Sequence, residues 1–301
     1  MKESKNPDVR ARGAGGWSQE QRLRFVDHRL YWEGRINRKA LVSHFGISIP
    51  QASLDFARYI QLAPSNLVYD RAARIYLATD CFASVYSVSD PGTYLAEMLA
   101  AAQGRLESDD SFITWRPTMA SVPTPGRILD SRTVKAVLRA IREELRLKVV
   151  YQSLTSAESS ERLLSPHALA HDGYRWHIRA YCHSRKAFRD FVIARILRVV
   201  GFEQDAISGE GDREWHKLVT LDLAPHPGLP EAHRKAIELD YGMQHGHTGM
   251  RCRQALLFYV LRHLRLDAKP TATPQEQQII LRNRTEVERL LQASSVAEVN
   301  P

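Results

Sequence analysis

The feature that most limits the folds open to this chain is a series of three short helical segments near its N-terminus. Ser18 precedes the first segment, Gln21 completes a capping-box pattern with it, and Gly34 ends the segment. Asn37 precedes the second segment, which stops at Gly46, and the third begins at once. A helix, a tight turn and a further helix in this order predict a helix-turn-helix.

The third segment, residues 48–62, has the signals of a recognition helix followed by a wing. Ser48 is its expected N-cap, and Pro50 stands in the first turn, where a missing N–H costs nothing. Two short β-like runs joined by DRAAR then predict a hairpin. Polar side chains of such a helix reach base edges, whereas wing arginines neutralise phosphates. The residues predicted to contact DNA are Lys39, Ser48, Pro50, Gln51, Ser53, Arg58, Arg71 and Arg74.

The distribution of charge favours a polyanionic partner. The chain has a net charge of +8, and residues 1–80 hold thirteen Lys and Arg against eight Asp and Glu. Residues 1–16 are typical of a disordered basic tail and lack the apolar centre of a secretory signal. No apolar run is long enough for a membrane span, so no membrane partner is expected. A three-helix protein-interaction domain with the same turn is the alternative to DNA binding.

The middle of the chain predicts a helical linker region over residues 81–147. One helix is expected between Pro91 and Gly104. A stretch rich in proline follows it and is typical of an interdomain connection. A charged amphipathic helix then occupies residues 131–146, with its apolar residues on one face.

Residues 148–205 change to short strands, which predict a small barrel or a curled sheet. In residues 176–182 apolar side chains alternate with His177, Arg179 and Tyr181, so these three share one side of a strand. We assign Arg189, Phe191 and Arg195 to the same side of the sheet. Such a surface is typical of a nucleotide-binding site, because arginines form paired hydrogen bonds with phosphates and an aromatic ring stacks on a base. The predicted ligand contacts are Tyr151, Ser153, His167, His177, Arg179, Tyr181, Arg189, Phe191 and Arg195. The alternative is that they only hold the barrel together through internal hydrogen bonds.

The sequence does not contain the residue patterns that are typical of a metal site or of an enzyme active site. His167 and His171 are four residues apart, but Pro166 and the HDG turn oppose a shared helical face, and no carboxylate or cysteine completes a ligand set. The three cysteines form no CxxC pair, which fits a reduced cytoplasm. No phosphate-binding glycine loop or nucleophile elbow occurs. We therefore predict no catalytic residue, no metal and no cofactor.

The last part of the chain, residues 206–301, predicts an α/β dimerisation domain. A strand is expected over 217–223, a helix after Pro230, a longer helix over 250–268 and a final helix over 274–293. The helix over 250–268 is apolar around most of its circumference, so more than one of its sides has to be buried against other elements. We expect a domain core together with a dimer interface to bury these sides; the alternative is a domain core alone.

The strand segments resemble a known family, the WYL domain. The resemblance rests on RWHIRAYC and FRDFVIARI, together with Tyr151, Arg162, Pro166, Trp176, His177 and Ile178. The last three occupy the place of the family's Trp-Tyr-Leu triplet, so a histidine replaces the middle tyrosine. The resemblance implies a small Sm-like β-barrel that binds nucleic acid or nucleotide-derived ligands. From residue 17 onward the chain resembles the WYL-domain transcriptional regulators of bacterial phage-defence islands, of the BREX and CBASS type.

These expectations combine into an α+β protein with a winged helix-turn-helix, a central Sm-like barrel and a C-terminal α/β dimerisation extension. The expected boundaries are 1–16, 17–80, 81–147, 148–205 and 206–301. By resemblance, the chain is a homodimeric repressor in the bacterial cytoplasm, associated with the nucleoid. It would bind an inverted-repeat operator in double-stranded DNA and respond to a nucleotide or single-stranded nucleic-acid effector. The alternative is an accessory protein that binds nucleic acid without promoter recognition.

Overall fold

The computed structural model describes residues 18–86, 88–106, 111–123, 125–267 and 273–299, with side chains of the last helix described as far as residue 292. The chain forms two compact units, residues 1–123 and residues 124–301. The basic tail expected over residues 1–16 lies outside the described residues. The region expected to be one linker, 81–147, is divided between the two units.

The first unit begins with the expected three helices, α1 (Gln19–Glu33), α2 (Arg38–Phe45) and α3 (Ile49–Leu62). The hydroxyl of Ser18 accepts the N–H of Gln21, and the side chain of Asn37 caps α2 in the same way. Gly34 and Gly46 end the first two helices with φ of 68° and 65°, in the left-handed region that favours glycine. The local capping signals therefore set the helix boundaries as predicted.

A three-stranded antiparallel sheet packs on these helices. Its strands are β1 (Arg35–Ile36), β2 (Leu67–Asp70) and β3 (Ile75–Ala78), in the order β1-β3-β2. The hairpin between β2 and β3 is the predicted wing. A fourth helix, α4 (Pro91–Ala102), begins at the capping side chain of Asp90, and its Tyr94 stacks on Trp32 at a ring separation of 4.0 Å.

A buried carboxylate connects α1 to the rest of this unit. Asp27 is 1% exposed and accepts hydrogen bonds from the hydroxyls of Tyr59 and Ser84. The backbone N–H groups of Val85 and Tyr86 also donate to it, at 3.0 and 3.3 Å. Burial and the neighbouring carboxylate raise the pKa of Tyr59 above its ordinary value. Asp27 thus joins α1, α3 and the segment after the wing.

The second unit contains a five-stranded antiparallel sheet in the order β7-β6-β5-β4-β8. The helix before it is α5 (Ser131–Arg142), and the strands are β4 (Arg146–Tyr151), β5 (Ser160–His171), β6 (Trp176–Cys182), β7 (Ala187–Val192) and β8 (Ile196–Glu203). Val137 and Ala140 of α5 pack in one core with Leu147, Ile178 and Ala180 of the strands. The register of β5 against β6 shifts after Pro166, whose ring removes a ladder donor.

The sheet is open in the part of the chain that the structure describes. Its edge strands, β7 and β8, are joined in sequence by the 3-10 turn Ile193–Arg195 but form no ladder with each other. The closed form of the expected Sm-like barrel is therefore not observed.

The remaining elements form a smaller α/β layer around a sheet of order β10-β9-β11. They are the 3-10 turn Gly209–Gly211, α6 (Arg213–His216), β9 (Leu218–Pro225), α7 (Glu231–Asp240), β10 (Thr248–Arg253), α8 (Leu257–His263), β11 (Ile279–Leu281) and α9 (Arg284–Val299). The expected strand near 217–223 and the helix after Pro230 are confirmed. The prediction of one helix over 250–268 is wrong in part, because residues 250–253 pair with β9 as a strand. The final helix begins ten residues later than expected, at Arg284, because β11 precedes it.

Candidate nucleic-acid interface and ligand cavity

The recognition helix α3 begins as the sequence predicts. Ser48 accepts the N–H of Gln51 through its hydroxyl at 3.3 Å, and Pro50 occupies the first turn. Ser48 and Pro50 are both exposed. The buried side of the helix consists of Ala52, Asp55, Phe56 and Tyr59. The opposite side of α3 is exposed.

Two of the predicted base-contacting residues have partners inside the chain. The amide nitrogen of Gln51 donates to Asp55 at 3.2 Å, and Arg22 donates to the same buried carboxylate at 2.7 Å. The hydroxyl of Ser53 donates to the carbonyl oxygen of Ile49 at 3.1 Å. A base contact by either side chain has to coexist with these bonds or replace them. Their contact with DNA stays a prediction.

The basic residues predicted to contact DNA are exposed. Lys39 lies in the first turn of α2, Arg58 lies on α3, and Arg71 and Arg74 lie in the wing turn. The carboxylate of Asp70 accepts two backbone N–H groups of that turn at 2.8 and 3.0 Å. Arg74 has φ of 55°. The wing turn is thus held in one conformation by Asp70 while its two arginines remain available.

Sequence reasoning missed Arg38, which connects α2 to the wing. Its guanidinium lies 5.3 Å from the ring centre of Tyr69 and 5.4 Å from that of Tyr76, and it donates to the Tyr76 hydroxyl at 2.8 Å. The signal available was the pair of tyrosines, which face each other across β2 and β3. Arg38 positions the wing through cation–π contacts.

In the second unit, Arg179 of β6 is buried against three carboxylates. Its Nε and Nη2 form a bidentate pair with Asp212 at 2.6 and 3.0 Å. Nη2 also donates to Glu214 at 2.9 Å, and Nη1 lies 3.4 Å from Asp190. Asp212 accepts a further bond from Nε2 of His167 at 3.0 Å. The predicted ligand contacts Arg179 and His167 are therefore brought together, with acidic partners that sequence reasoning missed.

The electrostatics of this cluster favour the charged forms of Arg179 and Asp212. Burial works against ionisation of Asp212, but hydrogen bonds from His167 and Arg179 outweigh it and hold the pKa of Asp212 well below its ordinary value. Burial likewise opposes the charge on Arg179, yet Asp212 and the negative charge of Asp190 raise its pKa. Burial raises the pKa of Asp190 despite its contact with Arg179. The pair formed by Arg179 and Asp212 is the centre of the cluster.

His177 belongs to a neighbouring buried group rather than to the Arg179 cluster. Its Nε2 bonds to Asp172 at 2.9 Å, and Arg175 donates to the same carboxylate at 2.9 Å. Its ring packs against that of Tyr259 at 5.0 Å, and the Tyr259 hydroxyl donates to Asp190 at 3.1 Å. The side of β6 that carries His177 is therefore covered, and His177 is 2% exposed.

The prediction that Arg189 and Phe191 share a side of the sheet with Arg179 is wrong. In the register of β6 and β7, Phe191 faces Ile178, Arg189 faces Ala180 and Asp190 faces Arg179. Phe191 therefore lies in the hydrophobic core, where its ring meets that of Tyr151 edge-on at 5.3 Å. A shift of one residue along a strand moves a side chain to the opposite face.

The other predicted ligand contacts are spread over the sheet. The hydroxyl of Tyr151 accepts the N–H of Val192 at 3.1 Å. Ser153 is bonded to the hydroxyl of Thr155, and Tyr181 packs edge-on against Phe188. The roles of Tyr151, Ser153, Tyr181 and the half-buried Arg195 in ligand binding stay predictions.

A cavity of about 750 Å³ opens beside the Arg179 cluster. Arg179 and Arg189 are the predicted ligand contacts on its wall, together with Arg213, four carboxylates and the rings of Phe188, Phe258 and Tyr259. The wall comes from β6 and β7, the segment 211–214 and the helices α8 and α9. It has the size and the aromatic surface to hold a small organic molecule, and its wall carries both arginines and carboxylates.

Three family models match the chain in series. They are the BrxR transcriptional regulator winged helix-turn-helix domain over residues 18–100, the WYL domain over 132–200, and the BrxR transcriptional regulator C-terminal dimerization domain over 218–287. A DNA-binding transcriptional repressor named CapW from Pseudomonas aeruginosa is 47% identical, covering 95% of this chain and 96% of its own length. The chain belongs to the CapW family of DNA-binding transcriptional repressors. A CapW repressor from Escherichia coli is 43% identical over 95% of this chain and 96% of its own.

Membership of the CapW family confirms the expected winged helix, WYL domain and dimerisation domain, and the prediction that the chain is not an enzyme. Among solved structures, the Proteasome accessory factor B/C (PafBC) of Arthrobacter aurescens matches at 16% identity with a TM-score of 0.25, covering 99% of this chain and 52% of its own. None of the helices in the described residues is long and apolar enough to cross a membrane.

Proposed function

We propose that the chain acts as a homodimer that represses a phage-defence operon, including its own promoter, by binding an inverted-repeat operator. The support is that the outward side of α3 and the wing residues Arg71 and Arg74 are exposed, in a chain that carries a dimerisation domain. Two recognition helices related by a two-fold axis match an inverted repeat whose half-sites are one or more helical turns apart. The repressor then works at the nucleoid, in the bacterial cytoplasm.

We further propose that the effector is a nucleotide or a single-stranded nucleic acid and that it binds in the cavity. The observation that carries this is the bidentate pair of Arg179 with Asp212 beside Arg189. A phosphate accepts the same two parallel donors that a carboxylate accepts, so a ligand phosphate competes with Asp212 and Glu214 for Arg179. A base has the ring of Phe258 on the same wall for stacking.

The position of Asp212 connects this competition to the dimer. Asp212 lies in the segment 204–217, which leads from β8 to β9, the first strand of the dimerisation domain. When a ligand phosphate binds Arg179 in place of Asp212, the segment 204–217 loses its bidentate bond to the sheet. The ligand releases the operator if it favours a dimer geometry in which the two recognition helices no longer fit their half-sites.

Operator binding is tested by selecting duplexes from a randomised library with the full-length chain and footprinting the selected DNA. We expect protection of one discrete inverted repeat. Protection without sequence preference overturns the operator and favours an accessory nucleic-acid-binding protein.

Effector binding is tested on the selected duplex by fluorescence anisotropy. The probes are the ribonucleoside triphosphates and, separately, a mixed-sequence single-stranded DNA. We expect one of them to release the duplex from the natural chain and Arg189→Ala to lose the response. Arg198→Ala is the matched control, because Arg198 is an exposed arginine of the same sheet outside the cavity wall.

The variant Asp212→Asn tests whether the bond between Arg179 and Asp212 couples effector binding to release of the operator. An amide lacks the charge of the bidentate acceptor, so we expect release at a lower effector concentration. Melting temperatures are measured for every variant, since an unfolded sheet also loses the response. Normal release by a well-folded Arg189→Ala protein contradicts the proposed cavity.

A further inference from the structure

The outward side of α3 presents a row of side chains whose centre is apolar. A helix has 3.6 residues per turn, so positions separated by four, three and four residues fall in one line along its surface. In α3 this line is opposite the buried side, and all its members are exposed. They are Pro50, Leu54, Ala57 and Gln61.

The centre of the row has no polar group to offer. Leu54 is 62% exposed, and its neighbour in the row is Ala57. Three polar side chains flank the centre. Gln51 and Ser53 already donate to Asp55 and to a backbone carbonyl, and Arg58 donates to Gln61. A single exposed leucine needs no explanation on most surfaces. If α3 enters the major groove, as proposed above, Leu54 is the side chain at the centre of the surface that meets the base edges.

We infer that Leu54, supported by Ala57, reads thymine by contact with its C5-methyl group. This inference rests on the operator binding proposed above. The thymine methyl is the one apolar group that base edges present in the major groove, and apolar side chains recognise it. The last residue of the row, Gln61, accepts a hydrogen bond from Arg58 at 3.2 Å. The row therefore combines an apolar centre with a polar C-terminal end.

The test replaces thymine with uracil, one position at a time, in a duplex selected from the randomised library by the full-length chain. Uracil removes the methyl group and keeps the base pair. We expect the natural chain to lose about fourfold in affinity at one position of each half-site, which is the effect of one buried methyl-sized group. We expect Leu54→Ala to bind the thymine and uracil duplexes equally at that position.

The matched control is Leu62→Ala. Leu62 is 43% exposed on the same helix but lies off the row, so this variant should keep the preference for thymine. Leu54→Ala is expected to fold, because the residue is exposed and alanine is a better helix former.

Two outcomes separate this inference from the operator proposal. If the selection yields no common sequence, the operator proposal fails and the inference fails with it. If a common sequence is bound with no dependence on any thymine methyl, or if Leu54→Ala keeps that dependence, only the inference is overturned.

Discussion

Replacement of Arg179 by methionine should destabilise the second unit strongly. The side chain is 5% exposed and contacts Asp212, Glu214 and Asp190, so its loss leaves buried carboxylates without their cation. Breaking a buried pair in this way costs about 3–5 kcal/mol. Glu214 is 29% exposed and can turn to solvent, so we expect the lower end, about 3 kcal/mol. For a unit of this size, that corresponds to a fall of roughly 6–12 °C in melting temperature.

The assay is thermal unfolding of the full-length chain followed by circular dichroism. Hydrogen exchange of peptides covering β6 and β7 identifies which unit has lost stability. The control is Lys148→Met in β4, whose pair with Glu161 at 3.0 Å is exposed and contributes about 0–1 kcal/mol. The reasoning is refuted if Arg179→Met melts within roughly 2 °C of this control.

A double variant checks that charge, rather than lost packing, is the cause. Arg179→Met combined with Asp212→Asn removes the carboxylate that the first change leaves without a cation. We expect the double variant to be more stable than Arg179→Met alone, with a coupling of about 1–3 kcal/mol between the two sites. Additive losses from the two changes point to packing instead.

Two further predictions concern the segment that carries Asp212. A Cβ at Gly209 would lie 2.4 Å from the ring of His167, so Gly209→Ala should lower the melting temperature and the effector concentration needed for release. The control is Gly201→Ala, which should change neither quantity, because nothing lies within 4 Å of the added Cβ. Equal behaviour of the two variants contradicts the close packing of this segment. The folded-state pKa of Asp212 lies below its ordinary 3.8, so its contribution is complete above about pH 4 and is lost as the pH falls towards the lowered pKa. A pH series of melting curves should show a smaller acid loss for Asp212→Asn than for the natural chain, and identical losses exclude this role for Asp212.

Much of the first unit could be predicted from the sequence, because its signals are local. The caps at Ser18, Asn37 and Ser48 and the stops at Gly34 and Gly46 act within a few residues of where they stand. The wing was predictable for the same reason, since a turn sequence between two short β-like runs specifies a hairpin. The buried carboxylate Asp27 was not predictable, because its partners lie 32 and 57–59 residues further along the chain.

The candidate ligand site was predictable only in part. The alternation in β6 correctly placed Arg179 among polar groups, but it carried no information about the register of β7. The pairing of Phe191 with Ile178 depends on how two strands align, and the core decides that alignment by burying Phe191. The same pattern therefore assigned Phe191 to the wrong side of the sheet.

The sequence by itself determined the order of domains, the helix boundaries of the winged helix and the presence of arginine and histidine on one strand of the sheet. These follow from capping, hydrophobic period and residue type, all of which act over a few residues. Only the tertiary structure decided that Arg179 is bound by Asp212 and that Arg22 is bound by Asp55, each 33 residues away along the chain. A charged side chain pairs with the opposite charge that lies within about 3 Å in the folded chain, and no local sequence pattern specifies a partner so far away in sequence.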